Sequence, residues 1–74
     1  MKLYWPMAIC DDGYTAHTYD SCLTLDECKK VFKCWEEGYN YRLRELWVEV
    51  ADPMDDGYCK RINVKKDYIF EEEL

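Results

Sequence analysis

Apolar side chains alternate with other residues along the first segment, 2–10, at Leu3, Trp5, Met7 and Ile9. A period of two residues is typical of a β-strand, and we expect this face of the strand to be the buried one. The pair Asp12-Gly13 follows and favours a tight turn into a second strand, 14–19. A two-residue turn there would place Ile9 opposite Ala16.

A second hairpin is predicted from strands at 42–51 and 58–65. A five-residue loop from Pro53 to Gly57 brings the apolar sides of both strands together, as a half-buried antiparallel pair requires. The same register brings opposite charges together on the other face. The predicted cross-strand pairs are Leu46–Val64, Val48–Ile62, Glu49–Arg61 and Glu45–Lys65.

Between the hairpins, the segment Thr24 to Glu27 has the pattern of a capping box. The Thr24 hydroxyl is predicted to accept from the Glu27 amide, and the Glu27 carboxylate from the Thr24 amide. A helix is therefore expected at 25–37, ending before Gly38. One apolar stripe follows at helical spacing: Leu25, Cys28, Phe32 and Trp35.

These elements predict an α+β fold with the order ββαββ. One helix would pack on one face of an antiparallel sheet of about four strands, which is a two-layer arrangement. The 74 residues have room for one small domain, 1–74. Residues 68–70 are expected to dock on it, and residues 71–74 to form a frayed acidic tail.

Charge narrows the choice of partner. Sixteen acidic and ten basic residues give a formal net charge of −6. This excess of acid disfavours direct binding to nucleic acid or to an anionic membrane, and it favours a basic protein surface. No apolar run is long enough to span a bilayer, and the amino terminus lacks the features of a signal peptide. We expect a cytoplasmic protein.

The five cysteines, at positions 10, 22, 28, 34 and 59, form no Cys-x-x-Cys pair. The spacing fits neither zinc nor redox motifs, so free cysteines buried as small apolar side chains are the favoured interpretation. A zinc site formed by His17, Cys22 and Cys28 is the alternative. We expect no metal and no cofactor.

Catalysis would have to use the single histidine, His17, and Cys10 is its best candidate partner. No third group is in place to orient such a pair, and the neighbouring acids Asp11 and Asp12 oppose formation of a thiolate. The three glycines are too far apart for a phosphate-binding loop. We therefore expect a protein without enzymatic activity.

The segment Asp11-Asp12-Gly13-Tyr14 recurs as Asp55-Asp56-Gly57-Tyr58. If both hairpins run the same way, the acids of the two turns and Asp52 project from one end of the sheet. Such an acidic edge, with outward aromatic side chains, is suited to bind arginines and lysines. The predicted partner-binding residues are Asp11, Asp12, Asp52, Asp55, Asp56, Tyr39, Tyr41 and Trp47.

In overall character, the chain resembles small acidic phage-encoded proteins, including inhibitors of the anti-CRISPR type. The resemblance lies in its single domain, its tyrosines and cysteines and its lack of catalytic motifs. It implies a DNA mimic that blocks the nucleic-acid-binding surface of a host defence effector in the cytoplasm of a host cell. It transfers no functional residue.

The sequence thus predicts a non-catalytic inhibitor or adaptor that binds the basic surface of a protein. The alternative is a homo-oligomeric sponge that sequesters a signalling nucleotide. Its ligand would stack and pair with Tyr39, Tyr41, Trp47, Lys60 and Arg61.

Overall fold

A computed structural model describes residues 1–71, except for the side chains of residues 56–58 and 66. It is a small α+β domain in which an antiparallel sheet has the strand order β2-β1-β3-β4-β5. No helix within the described residues is long and apolar enough to cross a membrane. The elements are β1 (Leu3–Cys10), β2 (Thr15–His17), α1 (Leu25–Lys33), a π-helical turn (Cys34–Gly38), β3 (Leu43–Asp52), β4 (Asp55–Lys65), a 3-10 turn (Lys66–Tyr68) and β5 (Ile69–Phe70).

Within residues 1–71 the sheet has five strands, so the predicted order ββαββ and the number of about four strands match only roughly. The additional strand, β5, pairs with the end of β4, with Phe70 opposite Val64. Docking of the segment 68–70 is confirmed, because Tyr68 and Phe70 pack against the core. The backbone of Glu71 still donates to the Asn63 carbonyl, at 2.8 Å. The rest of the predicted frayed tail, 72–74, lies outside the described residues.

The helix begins where the capping box predicts. Thr24 is the N-cap, and its hydroxyl accepts from the Glu27 amide at 3.2 Å. The Glu27 carboxylate was predicted to accept from the Thr24 amide. It accepts instead from the amide of the preceding residue, Leu23, at 2.8 Å. The predicted apolar stripe faces the sheet: Cys28 and Phe32 are fully buried, and Trp35 is 8% exposed.

The helix packs on the face of β1 that carries small side chains. Pro6, Ala8 and Cys10 are buried there, and Ala16 lies beside Ala8 on β2. The predicted core face of β1, with its larger side chains, is on the other side and contributes nothing to the core cluster around Phe32. That prediction is wrong because it chose the larger side chains, whereas a helix approaches a sheet closely where the side chains are small.

The register of the first hairpin also differs from the prediction. Ala8, and not Ile9, lies opposite Ala16. The Cys10 amide donates to the Tyr14 carbonyl at 2.8 Å, so the loop has three residues, 11–13, instead of two. Gly13 adopts φ +90°, as three-residue loops of this kind require. One additional loop residue shifts every cross-strand pair.

The register of the second hairpin is confirmed. Leu46 lies opposite Val64, Val48 opposite Ile62, and Glu49 opposite Arg61. The predicted five-residue loop is wrong, since β4 already begins at Asp55. A register shift between Ala51 and Asp52 accommodates the additional residues of β4. The second DDGY segment is therefore strand, not turn.

Tyr68 connects the segment after β4 to the helical layer through three side-chain contacts. Its hydroxyl donates to the Glu36 carboxylate, and its ring stacks on Phe32 at 6.2 Å between centroids. The Lys33 ammonium is 6.0 Å from the centroid of the same ring. Asp67 and Tyr68 both have positive φ, a conformation that non-glycine residues keep only where their surroundings hold it.

We predict that Tyr68→Phe lowers the free energy of unfolding by about 1 kcal/mol at pH 8, because the Glu36 carboxylate loses its donor. Burial, followed by the hydrogen bond to Glu36, raises the pKa of Tyr68 in the folded protein. Its contribution is therefore complete below about pH 10, the pKa of an unfolded tyrosine, and is lost as the pH rises further.

Urea unfolding of both proteins between pH 8 and pH 11 measures this difference. Other groups, such as Cys28, whose pKa burial raises to about 12, titrate in both proteins and cancel. A difference between wild type and Tyr68→Phe that stays constant up to pH 11 would contradict the prediction.

Candidate functional site

The two acidic turns lie at opposite ends of the sheet. Strands β1 and β3 are antiparallel neighbours, with Cys10 opposite Leu43 and Leu3 opposite Ala51. The end of β1, and with it Asp11 and Asp12, is therefore about 24 Å from the end of β3, where Asp52 and Asp55 lie. The predicted single acidic edge is wrong, because the hairpins meet through antiparallel strands. The Asp56 side chain is outside the described part.

The first acidic turn borders an open cavity of about 450 Å³. The Asp12 carboxylate accepts from the Tyr14 amide at 2.9 Å, which stabilises the turn. The Asp11 amide donates to the Arg42 carbonyl at 2.9 Å and joins the turn to the segment before β3. We call this cavity the acidic tyrosine cleft, and its lining residues are Cys10, Asp11, Asp12, Tyr14, Asn40, Tyr41 and Arg42.

Three tyrosine rings are in contact at the cleft. Tyr14 and Tyr41 meet edge to face with 5.8 Å between centroids, and Tyr39 stacks on Tyr41 at 5.6 Å. Tyr39 is 64% exposed, whereas Tyr41 is half-buried. The cleft thus combines a partly buried aromatic wall with an exposed ring that a partner molecule can reach.

The π-helical turn after α1 places these rings. The Tyr39 amide donates to the Cys34 carbonyl at 3.2 Å, and the Tyr41 amide to the Trp35 carbonyl at 2.8 Å. Asn40 between them adopts a left-handed conformation with φ +57°, which asparagine tolerates better than most residues. Because Trp35 is in the core, the bonds fix the tyrosines relative to the rest of the fold.

Burial and nearby groups raise the pKa values of two side chains that line the cleft, Tyr41 and Cys10. Burial raises the pKa of the Tyr41 hydroxyl, with smaller contributions from Tyr14, Cys10, Tyr39 and Asp12. The pKa of the Cys10 thiol is also raised, first by burial and then by Asp12 and Asp11. The formal charges of the lining are those of two aspartates and one arginine, so the cleft is net negative.

Trp47, also predicted to bind a partner, lies elsewhere. It faces away from the helix and is only 8% exposed, because the Arg61 guanidinium covers its ring at 4.3 Å from the centroid. The Arg61 Nε in turn donates to the Asn63 side chain at 3.2 Å. The indole faces outward, as predicted, but it is not exposed, since the Arg61 guanidinium covers one face of its ring.

The proposed cysteine–histidine and zinc arrangements have no geometric basis in the structure. Cys10 lines the cleft, whereas His17 lies opposite Met7 and contacts the Tyr19 ring. Cys22 and Cys28 are both buried in the core cluster. Within the described residues, no group of three or more His, Cys, Asp or Glu side chains is placed to hold a metal ion.

Four of the predicted residues are brought together: Asp11, Asp12, Tyr39 and Tyr41. Sequence reasoning missed Tyr14, Asn40 and Arg42. A three-residue first turn would have pointed to Tyr14, which directly follows that loop. Asn40 and Arg42 join the site only through the tertiary contact between the turn and the segment before β3.

Comparison with protein-family models, curated protein sequences and solved structures found no match to this chain.

We predict that two of the five thiols react rapidly with a disulfide reagent such as Ellman's reagent at pH 8. Cys34 and Cys59 are exposed, whereas Cys10, Cys22 and Cys28 are buried. The three buried thiols also have raised pKa values, so little thiolate is present to react. All five should react once the protein is unfolded in urea.

Mass spectrometry of peptides from briefly labelled protein identifies the sites. Rapid labelling of Cys10 in the folded protein would contradict its burial. It would also show that the thiol is reactive enough to act as a nucleophile.

Proposed function

We propose that this protein is a non-catalytic inhibitor or adaptor that binds a basic surface of a partner protein through the acidic tyrosine cleft. The observation that carries the proposal is the meeting of Asp11 and Asp12 with the rings of Tyr14, Tyr39 and Tyr41. Acids and aromatic rings are the two kinds of group that attract an arginine or lysine side chain.

The two kinds of group have complementary roles. A guanidinium or ammonium group at the cleft would pair with the carboxylates of Asp11 and Asp12, while its aliphatic stem lies against the rings of Tyr39 and Tyr41. A tyrosine side chain also loses little conformational entropy when it is bound, which makes it a common anchor in interfaces. Because Tyr41 is held by the Trp35 carbonyl, this part of the site is preorganised.

Net charge supports the same kind of partner. A chain with a formal charge of −6 is attracted over a long range to a positively charged surface, which speeds association. Nucleic-acid-binding surfaces are rich in arginine and lysine. A host defence effector, the partner implied by the resemblance to phage-encoded inhibitors, would present such a surface, with the cleft carboxylates in the places of phosphates.

The alternative function, a nucleotide sponge, receives less support from the geometry. Tyr39 and Tyr41 lie at the cleft, whereas Trp47 and Arg61 contact each other on the sheet. Lys60 and Arg61 are adjacent in β4, so they point to opposite faces. One chain therefore does not bring these five residues together around a ligand.

A fluorescein-labelled peptide of about six arginines serves as the probe, because arginine is the side chain the cleft should recognise. We predict that the double variant Asp11→Asn, Asp12→Asn binds the peptide about tenfold more weakly than the wild type, as measured by fluorescence anisotropy. Raised salt should also weaken binding of the peptide to the wild type, because it screens the charges. Asparagine keeps the oxygen that accepts from the Tyr14 amide, so the turn should survive.

The other acidic turn provides a matched control. Asp52 accepts from the Met54 amide at 2.9 Å, as Asp12 does from Tyr14, so Asp52→Asn, Asp55→Asn removes the same charge from a similar turn. Equal losses in both double variants would show that only net charge matters. Binding of the peptide without changes in the NMR signals of the Tyr14, Tyr39 and Tyr41 rings would exclude the cleft.

A further inference from the structure

We infer that the open face of the sheet is the contact surface between two copies of this chain. We name this surface the open sheet face. It consists of the apolar residues Leu3, Trp5, Met7, Ile9 and Trp47 and of the charged residues that lie beside them on the same face. The inference is independent of the acidic tyrosine cleft, which lies at the end of β1.

Large apolar side chains form one row on this face. The register places Leu3, Trp5, Met7 and Ile9 along β1, with Trp47 opposite Met7. All five are absent from the core cluster, and the four of β1 remain partly exposed. The helix packs on the other side of the sheet, and no further helix or strand in residues 1–71 lies over this row.

Charge on this face is nearly balanced, unlike that of the whole chain. Three acids and two bases lie on this face: Glu45, Glu49, Glu71, Arg61 and Lys65. Glu49 lies opposite Arg61, and Lys65 pairs with Glu71, so the five together carry one net negative charge, against six for the whole chain. A basic partner would therefore gain little here. In contact with a second copy, the apolar side chains of one face would pack against those of the other. Most of the charged side chains at the contact would find a partner of opposite charge.

The area suits a weak, reversible dimer. Leu3 to Ile9 spans about 20 Å, and four strands side by side span about the same. Packing two such faces would bury on the order of 1,000 Å² in total, which is the lower limit for a specific interface. Sheets pack face to face at about 10 Å, a spacing that side chains as large as Trp5 and Met7 can fill.

Sedimentation velocity across a roughly hundredfold range of concentration tests the inference, since a weak dimer dissociates within such a range. The wild type should shift from the mass of one chain toward twice that mass. Met7→Glu, which places a carboxylate in the middle of the apolar row, should remain monomeric at least roughly tenfold higher in concentration. A reductant is needed because Cys34 and Cys59 are exposed and would otherwise link copies covalently.

The matched control is Leu23→Glu. Leu23 is 58% exposed, lies in the segment before α1 and gains the same charge, so it should dimerise like the wild type. Circular dichroism establishes that both variants are folded. A measurement on the wild type alone complements them: acrylamide should quench tryptophan fluorescence less at high protein concentration, because Trp5 becomes covered.

A wild type that stays monomeric over the whole range would overturn the inference and leave the open sheet face to another partner. Dimerisation of folded Met7→Glu with unchanged affinity would overturn it as well. Equal weakening by Leu23→Glu would assign the effect to net charge rather than to this face.

Discussion

The close packing of α1 on the small side chains of β1 is the contact on which the other features of this structure depend. Phe32 and Cys28 are completely buried because Ala8 and Ala16 leave them room at the sheet surface. In a chain of this size, one helix against one sheet face is nearly all the core there is. The larger side chains of β1 are consequently left on the other face.

The antiparallel pairing of β1 with β3 has the next largest effect. It sends the two acidic turns to opposite ends of the sheet and gives them different surroundings. One turn meets the tyrosines that the π-helical turn presents, and the hydrogen bond from Asp11 to Arg42 joins the two segments. At the other turn, the Asp52 carboxylate lies 3.7 Å from the amino-terminal ammonium group.

The two exposed surfaces differ in physical character. The acidic tyrosine cleft is small, negative and preorganised by backbone hydrogen bonds, which suits a single cationic side chain. The open sheet face is broad, apolar and nearly neutral, which suits another apolar surface. Trp47, on the open sheet face, already has the Arg61 guanidinium of its own chain against its ring, so this ring is not a site for a partner's cation.

Local patterns sufficed wherever the determining interactions are close in sequence. The capping box at Thr24 and the stripe through Phe32 are set by contacts within one or two helical turns, so both are predictable. The register of β3 with β4 was predictable too, because apolar and charged pairs agree on a single alignment. The first hairpin lacked such agreement, and a difference of one loop residue changed every pair.

Tertiary structure alone decided which face of β1 is buried and which acids meet which tyrosines. Hydrophobicity by itself favours burial of Trp5 and Met7, but a helix also needs space, and the small side chains of the opposite face provide it. Asp12 and Tyr41 are far apart in sequence, and their meeting depends on the order of strands in the sheet. That order is a property of the packed layers, which no local pattern of residues specifies.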